Sequence, residues 1–132
     1  MRILGVDPGQ KRIGLAISDE TGVLATPVGL ARSVAEVLRV AAERGAGKIV
    51  VGLPRRLNGA ASEQTEQADR FRAALQAATN LPVEAWDERL TTVQAERALL
   101  EGNVRRSERK QKRDALAAQI MLQSYLDAHA PS

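Results

Sequence analysis

The chain has 132 residues, enough to bury one hydrophobic core and too few for two domains. A hydrophobic content of 44% excludes a disordered chain, and the absence of Cys excludes disulfides and Cys-ligated zinc. The formal charge of +3 does not by itself identify a nucleic-acid-binding protein, and an aromatic content of 2% argues against a protein that stacks bases on several rings.

The first part of the chain predicts three strands in an antiparallel meander. Strand-like apolar runs cover residues 2–7, 12–18 and 23–31. Turn-forming residues separate these runs, with Pro8-Gly9-Gln10-Lys11 in the first connection and Asp19-Glu20-Thr21-Gly22 in the second. Pro27 predicts an interruption of the third strand, because proline cannot donate a hydrogen bond to a neighbouring strand.

Helices and strands alternate through the rest of the chain. Ser33 is a favourable N-cap, and Glu36 three residues later predicts a capping box for a helix that ends at Gly45. Ser62 caps a second predicted helix over residues 63–79. The other predicted elements are a nearly all-apolar strand over 48–53, a strand over 82–87, a helix from Thr91 or Thr92 to near Gly102, and a last helix over about 108–128.

The element order βββαβαβαα predicts an α/β fold with one mixed five-stranded sheet. Three antiparallel strands come first, parallel βα units follow, and helices flank the sheet on both faces. We expect a single domain over residues 1–132. The sequence has no hydrophobic leader and no run of about 18 apolar residues, so we expect a cytoplasmic protein without membrane contact.

Three carboxylates give the strongest indication of chemistry: Asp7, Glu88 and Asp114. Asp7 and Glu88 each follow a predicted strand, and Asp114 lies in an Ala-rich helical stretch directly after a basic run. Mg²⁺ takes oxygen ligands and needs few carboxylates, and two such ions about 3.5–4 Å apart can promote phosphodiester hydrolysis. If the three side chains converge, the sequence predicts a divalent-metal site that cuts or transfers phosphates.

Each acid also has a purely structural explanation. Asp7 could be an Asx-turn residue, and Asp114 could pair with Lys110 on a helix surface. The negative charges of Asp87 and Glu88 could instead stabilise the N-terminus of the helix that follows them, through its dipole. Because neighbouring residues of a strand point to opposite faces, we expect at most one of Asp87 and Glu88 to face a metal.

Two segments predict contacts with phosphate. The stretch from Arg105 to Arg113 contains six basic residues and one acid, Glu108, which is the usual footprint for a nucleic-acid backbone; a solvated helix face is the alternative. The loop Asp7-Pro8-Gly9-Gln10-Lys11-Arg12-Ile13-Gly14 could hold a phosphate through backbone N–H groups and charge. Gly9 could instead serve only a turn that requires a positive φ.

Four motifs, in this order, resemble those of the YqgF/RuvX family. They are Gly5-Val6-Asp7-Pro8-Gly9-Gln10-Lys11-Arg12-Ile13-Gly14-Leu15-Ala16-Ile17-Ser18-Asp19, Val51-Gly52-Leu53-Pro54 with Asn58-Gly59, Asp87-Glu88-Arg89-Leu90-Thr91-Thr92, and Lys112-Arg113-Asp114-Ala115-Leu116-Ala117-Ala118. The motifs span nearly the whole chain and as a set are highly specific.

The resemblance implies an RNase H-like fold and a nuclease that uses Mg²⁺ or Mn²⁺, with two ions expected. It implies that Asp7 bridges both metals, that Glu88 binds from the strand after the second helix, and that Asp114 binds from the last helix. We choose Glu88 over Asp87 because Glu88 stands at the very end of the strand. The family is described both as a Holliday-junction resolvase and as a nuclease that matures the 5′ end of pre-16S ribosomal RNA, so the expected partner is structured RNA or branched DNA.

Basic residues around these acids are expected to bind the substrate backbone. Lys11 and Arg12 would contact the phosphate next to the scissile one, and Arg89 would do likewise or anchor the carboxylates. The other expected nucleic-acid contacts are Arg55, Arg56 and Asn58 in one loop and Arg105, Arg106, Arg109, Lys110 and Lys112 in the basic segment. Symmetric resolution of a four-way junction would require two active sites and therefore a homodimer.

Two other classes of protein stay open. An actin-like or sugar-kinase-like phosphotransferase also begins with a strand, an Asp and a Gly-containing phosphate turn, but it needs a second domain for which this chain has no room. A non-catalytic RNA-binding factor of ribosome assembly could keep the fold without the chemistry, and the intact trio of acids argues against it.

Overall fold

The computed structural model describes the backbone of residues 1–9, 11–54, 62–88 and 109–129, and the side chains of these residues except 109–114. In chain order the described elements are β1 (Arg2–Pro8), β2 (Ile13–Ser18), β3 (Ala25–Ala31), α1 (Val34–Glu43), β4 (Ala46–Leu53), α2 (Glu63–Ala78), β5 (Val83–Asp87) and α3 (Arg109–Ala128). This order confirms the predicted one, except that the helix predicted from Thr91 or Thr92 to Gly102 lies outside the described residues.

The five strands form one mixed sheet in the order β3-β2-β1-β4-β5. β1 pairs antiparallel with β2, and β2 pairs antiparallel with β3. β4 is parallel both to β1 and to β5. The predicted mixed five-stranded sheet is confirmed, and its three parallel strands end at the same edge.

The predicted interruption of the third strand is a bulge in β3. Leu15 pairs with Gly29 whereas its neighbour Ala16 pairs with Pro27, so Val28 is an extra residue on β3. Gly29 has a φ of +148°, which residues with a side chain rarely adopt. Pro27 has no backbone N–H, and the bulge places it where the ladder is already irregular.

Hydrogen bonds at the helix N-termini confirm both predicted N-caps, Ser33 and Ser62, and correct the predicted capping box. Ser33 caps α1 by accepting a hydrogen bond from the backbone N–H of Glu36 at 3.2 Å. The predicted capping box is wrong, because the Glu36 carboxylate accepts from the N–H of Arg32 at 2.8 Å, one residue before the cap. A reciprocal capping box occurs instead at α2, between Ser62 and Thr65.

Helices cover both faces of the sheet, as the sequence predicts. On one face α1 and α2 pack against alternate residues of the central strands, including Leu4, Val6, Ile49 and Val51. On the other face α3 packs mainly against β2, β3 and β1 through Ala118, Met121, Leu122, Tyr125 and Leu126. Gly5 permits this approach, because a Cβ at residue 5 would lie 2.8 Å from Cβ of Leu122.

A polar cluster holds the C-terminal part of α3 against the sheet. The Tyr125 hydroxyl accepts a hydrogen bond from Lys48 at 2.6 Å and donates one to Glu84 at 2.7 Å, and Lys48 and Glu84 form an ion pair at 2.5 Å. These contacts lower the pKa of Glu84 and raise that of Lys48. The Tyr125 ring also meets Trp86 edge-on and stacks on His129, with centroids 5.3 and 4.1 Å away.

Helix α3 has 20 residues. Neither it nor any other helix in the described part of the chain is both long and apolar enough to cross a membrane.

Candidate active site

The side chains of Asp7 and Glu88 meet at the edge where the parallel strands end. Asp7 lies near the end of β1, and Glu88 directly follows β5. The two carboxyl groups hydrogen-bond to each other even though β4 lies between their strands. The structure thus brings together two of the three acids that the sequence singled out.

Gly52 explains how two carboxyl groups can meet across an intervening strand. A Cβ at residue 52 would lie 2.6 Å from Oε1 and 3.2 Å from Cγ of Glu88, and 3.1 Å from Cγ of Met121. Any side chain at this position would therefore displace Glu88. This role of Gly52 was not predicted from the sequence, although a glycine inside a buried apolar strand is a sign of close approach.

Burial and the contact with Asp7 together raise the pKa of Glu88 to about 9. Burial is the largest cause, followed by the hydrogen bond with Asp7 and by the negative charges of Asp7 and Asp87. Two carboxylates this close cannot both be charged at low cost, so a proton or a cation must lie between them. The arrangement therefore suits a hard cation, whose preferred ligands are oxygens.

Asp87 and Glu88 differ in what they contact. The hydrogen bond to Asp7 comes from Glu88, whereas Asp87 acts on Glu88 through its charge. Asp87 pairs with Leu53 in the β4–β5 ladder. Of the two neighbouring acids, Glu88 is the one that the structure places against Asp7.

A basic cavity of about 410 Å³ opens at the paired acids. Its lining includes both acids together with Lys11, Arg12 and Arg32. Lys11 and Arg12 were predicted from the sequence. Arg32 was not, because it follows β3 and is distant from the other two in sequence. Three cations beside two acids can balance the charge of a nucleic-acid backbone that enters the cavity.

The turn between β1 and β2 brings Lys11 and Arg12 to this cavity. The backbone N–H of Gly9 donates to the carbonyl of Arg12 at 2.9 Å, which closes the turn. A Cβ at residue 9 would lie 2.6 Å from that carbonyl oxygen. The explanation of Gly9 by a positive φ is wrong, since its φ is not positive; this close approach accounts for the glycine.

The third predicted acid, Asp114, belongs to the backbone of α3, and its side chain lies outside the described atoms. The same holds for Arg109, Lys110 and Lys112. Among the side chains that are described, no three Asp, Glu or His are grouped so as to hold a metal. The other predicted contacts, Arg55, Arg56, Asn58, Arg89, Arg105 and Arg106, lie in residues 55–61 and 89–108, outside the described part.

The chain has the RNase H-like fold, in which helices flank a mixed five-stranded sheet. Its structure is similar to that of Thermus thermophilus RuvC in complex with a Holliday junction substrate, with a TM-score of 0.61 and 18% identity over 100% of this chain and 98% of that one. A second RuvC structure from the same organism gives a TM-score of 0.54 and 17% identity over 97% and 96% of the two chains. At these identities the likeness establishes the fold alone.

The sequence itself is similar to a nuclease family over almost its full length. Residues 1–128 match the family described as "RuvX: Holliday junction resolvase". The chain is 44% identical to the "Putative pre-16S rRNA nuclease" of Pelotomaculum thermopropionicum, over 97% of this chain and 88% of that protein. It is 45% identical to the protein of the same name from Clostridioides difficile, over 96% and 94% of the two chains.

The chain therefore belongs to the RuvX (YqgF) family of nucleases, which confirms the resemblance found in its motifs and the expected enzyme class.

Proposed function

We propose that this protein is a divalent-metal-dependent nuclease that hydrolyses phosphodiester bonds in structured RNA, with maturation of the 5′ end of pre-16S ribosomal RNA as its role. The observation that carries the proposal is the contact of Asp7 with Glu88 over Gly52, at the opening of a basic cavity. The names of the relatives support an RNA substrate. The proposal includes a single catalytic domain and a cytoplasmic location.

The paired acids fit Mg²⁺ or Mn²⁺. A carboxyl group whose pKa is raised beside another acid gains from a cation that replaces the proton between them. Asp114 is the proposed third ligand. Its position on α3 lies one turn before Ala118 and two turns before Met121, and both of these are buried against the sheet.

Two ions bound there would supply an activated water and neutralise the leaving oxygen. The protein's own residues would hold the site and orient the substrate. Asp7 and Glu88 would release the shared proton and bind the cations. Lys11, Arg12 and Arg32 line the same cavity and would neutralise the phosphates beside the scissile bond. Further proposed backbone contacts are Arg55, Arg56, Asn58, Arg89, Arg105, Arg106, Arg109, Lys110 and Lys112.

Branched DNA is the second candidate substrate, and the description of the family supports it. Symmetric resolution of a junction would also require a homodimer, which sedimentation of the protein with a four-way junction would detect. A structured RNA substrate carries no such requirement. The two candidates therefore differ in an observable assembly as well as in the nucleic acid that is cut.

Cleavage by purified wild type and Asp7→Asn tests the proposal. A labelled pre-16S ribosomal RNA 5′ fragment and a four-way DNA junction are offered separately in Mg²⁺ and in Mn²⁺. We expect metal-dependent cutting of the RNA that is lost in Asp7→Asn and retained in Asp127→Asn, an exposed acid near the end of α3. Binding without cutting by the wild type would contradict the proposal and indicate a non-catalytic assembly factor.

A further inference from the structure

The cavity that begins at the paired acids extends to helix α2. Gln64, Gln67, Ala68 and Phe71 all line it. Counted from Gln64 they are positions i, i+3, i+4 and i+7, so they lie on one face of the helix. A volume of about 410 Å³ falls within the range of pockets that hold small organic ligands. The cavity therefore has room for more than a phosphate group at its acidic end.

Phe71 gives this part of the cavity an aromatic surface. The residue is half-buried: it packs against the core between the sheet and α2, and it also lines the cavity. Ala68, one turn earlier on the same helix face, is buried and lines the cavity beside it. An aromatic side chain at the wall of a basic cavity is a platform on which a nucleobase can stack.

The neighbouring side chains suit a base and its attached phosphate. Gln64 and Gln67 are neutral amides that both donate and accept hydrogen bonds, as the edge of a base requires. The acids of α2 (Glu63, Glu66 and Asp69) are exposed and do not line the cavity. Its polar lining on α2 is therefore neutral, whereas its cations lie on other elements.

The N-terminus of α2 is tied to the strand that separates the two acids. The Thr65 hydroxyl donates to the carbonyl of Pro54, the residue that follows β4. Thr65 is also buried and takes part in the capping box with Ser62. These contacts hold the helix face that carries Phe71 in a defined position relative to Gly52 and the paired acids.

We propose that this cavity holds one unstacked nucleobase of the nucleotide next to the scissile phosphate, with the base on Phe71 and its edge at Gln64 and Gln67. The inference rests on the proposed function, because it takes the scissile phosphate to lie at Asp7 and Glu88. A base inside a duplex cannot reach such a cavity. The enzyme is therefore specific for a position at which the substrate is unpaired.

Titration with single nucleotides tests this inference without cleavage. Binding of each 5′-mononucleotide in Mg²⁺ is compared with that of ribose 5-phosphate, which lacks the base, by chemical-shift changes in the full-length protein. We expect at least one mononucleotide to bind roughly five- to hundredfold more tightly than ribose 5-phosphate. Deoxyribonucleotides form a parallel series that shows whether the ribose contributes.

Two substitutions of Phe71 distinguish the effect of its aromatic ring from the effect of its packing against the core. Phe71→Leu removes the aromatic surface and keeps an apolar side chain against the core, whereas Phe71→Tyr keeps the ring. We expect the preference for mononucleotide over ribose 5-phosphate to disappear in Phe71→Leu and to persist in Phe71→Tyr. Gln64→Ala with Gln67→Ala should reduce the differences among the four bases. Amide spectra of each variant establish that it is folded.

Equal binding of mononucleotides and ribose 5-phosphate by the wild type would overturn the inference. So would a preference that survives in Phe71→Leu. Neither result bears on cleavage, which depends on the acids and is measured separately with Asp7→Asn. If the wild type cuts RNA but shows no base preference, the inference of a base site is wrong and the proposed nuclease function stands. If it shows the base preference but does not cut, the proposed nuclease function is wrong and the base site stands.

Discussion

The carboxyl group of Glu88 lies over Gly52, with its Oε1 2.6 Å from the place that a Cβ on residue 52 would occupy. β4 separates the strands that carry Asp7 and Glu88, and the missing side chain at residue 52 is what lets the two acids touch. The geometry of the site thus depends on a residue that has no functional group of its own.

Gly52→Ala should disable the site without unfolding the protein. The new methyl group would push Glu88 away from Asp7, and a displacement of about 1 Å at a catalytic group can cost about a hundredfold in rate. Single-turnover cleavage measures this loss. Gly47→Ala is the matched control on the same strand, since its Cβ would meet only the flexible side chain of Met1. Equal losses in the two variants would contradict the role assigned to Gly52.

The metal-free protein should lose stability as the pH rises from about 4.5 to about 9. In that interval folded Glu88 keeps a proton that the unfolded chain releases, because its pKa is raised from 4.5 to about 9. The free energy of unfolding should fall by at most about 1.4 kcal/mol per pH unit. Urea denaturation in EDTA measures it.

Two comparisons check the origin of this pH dependence. Glu88→Gln should flatten it, because the glutamine side chain does not titrate. Mg²⁺ should also reduce it in the wild type by stabilising the ionised pair. If the free energy of unfolding depends on pH equally in the wild type and in Glu88→Gln, the raised pKa of Glu88 is not the cause of that dependence.

Arg12 and Arg32 should contribute to substrate binding through charge alone. When the logarithm of the RNA-binding constant is plotted against the logarithm of the salt concentration, each phosphate contact that is removed should make the slope shallower by roughly 0.7–0.9. The double variant Arg12→Ala with Arg32→Ala is measured by RNA binding at several salt concentrations, in Ca²⁺ to prevent cutting. Arg39→Ala, an exposed arginine on α1, is the control. An unchanged slope in the double variant would remove both residues from the interface.

Tyr125→Phe should loosen the attachment of α3 to the sheet. The substitution removes a hydroxyl that bridges Lys48 and Glu84, and we expect the free energy of unfolding to fall by about 1–2 kcal/mol. A double-mutant cycle with Glu84→Gln, measured by urea denaturation, isolates the coupling between the two side chains. Additive effects would show that the hydroxyl does not stabilise α3 through Glu84.

The sequence predicted the sheet because each strand has a local pattern that the fold agrees with. β1 and β4 are apolar runs of the kind found in covered parallel strands, and the turn residues between β1 and β2 allow only a short connection. Pro27 predicted an interruption of the third strand, and the structure has a bulge there. These features depend on neighbours in sequence, which is why they could be predicted.

The site was harder to predict because its contacts join residues distant in sequence. Asp7 and Glu88 meet because the strand order places β1 and β5 on either side of β4 and because Gly52 leaves room between them. Arg32 reaches the cavity because β3 folds back beside β2. The hydrogen bond of the Glu36 carboxylate was also not predictable from residue type alone. Its residue type fits a capping box, but the N–H that it contacts is that of Arg32.

We propose that Glu88, and not Asp87, works with Asp7 at the site of cleavage. The most direct test is single-turnover cleavage of the pre-16S ribosomal RNA fragment in Mn²⁺ by wild type, Glu88→Gln and Asp87→Asn. The two variants change adjacent carboxyl groups to amides of the same size. We expect that Glu88→Gln does not cut the RNA and that Asp87→Asn does. Normal cleavage by Glu88→Gln, with loss of cleavage in Asp87→Asn, would contradict it.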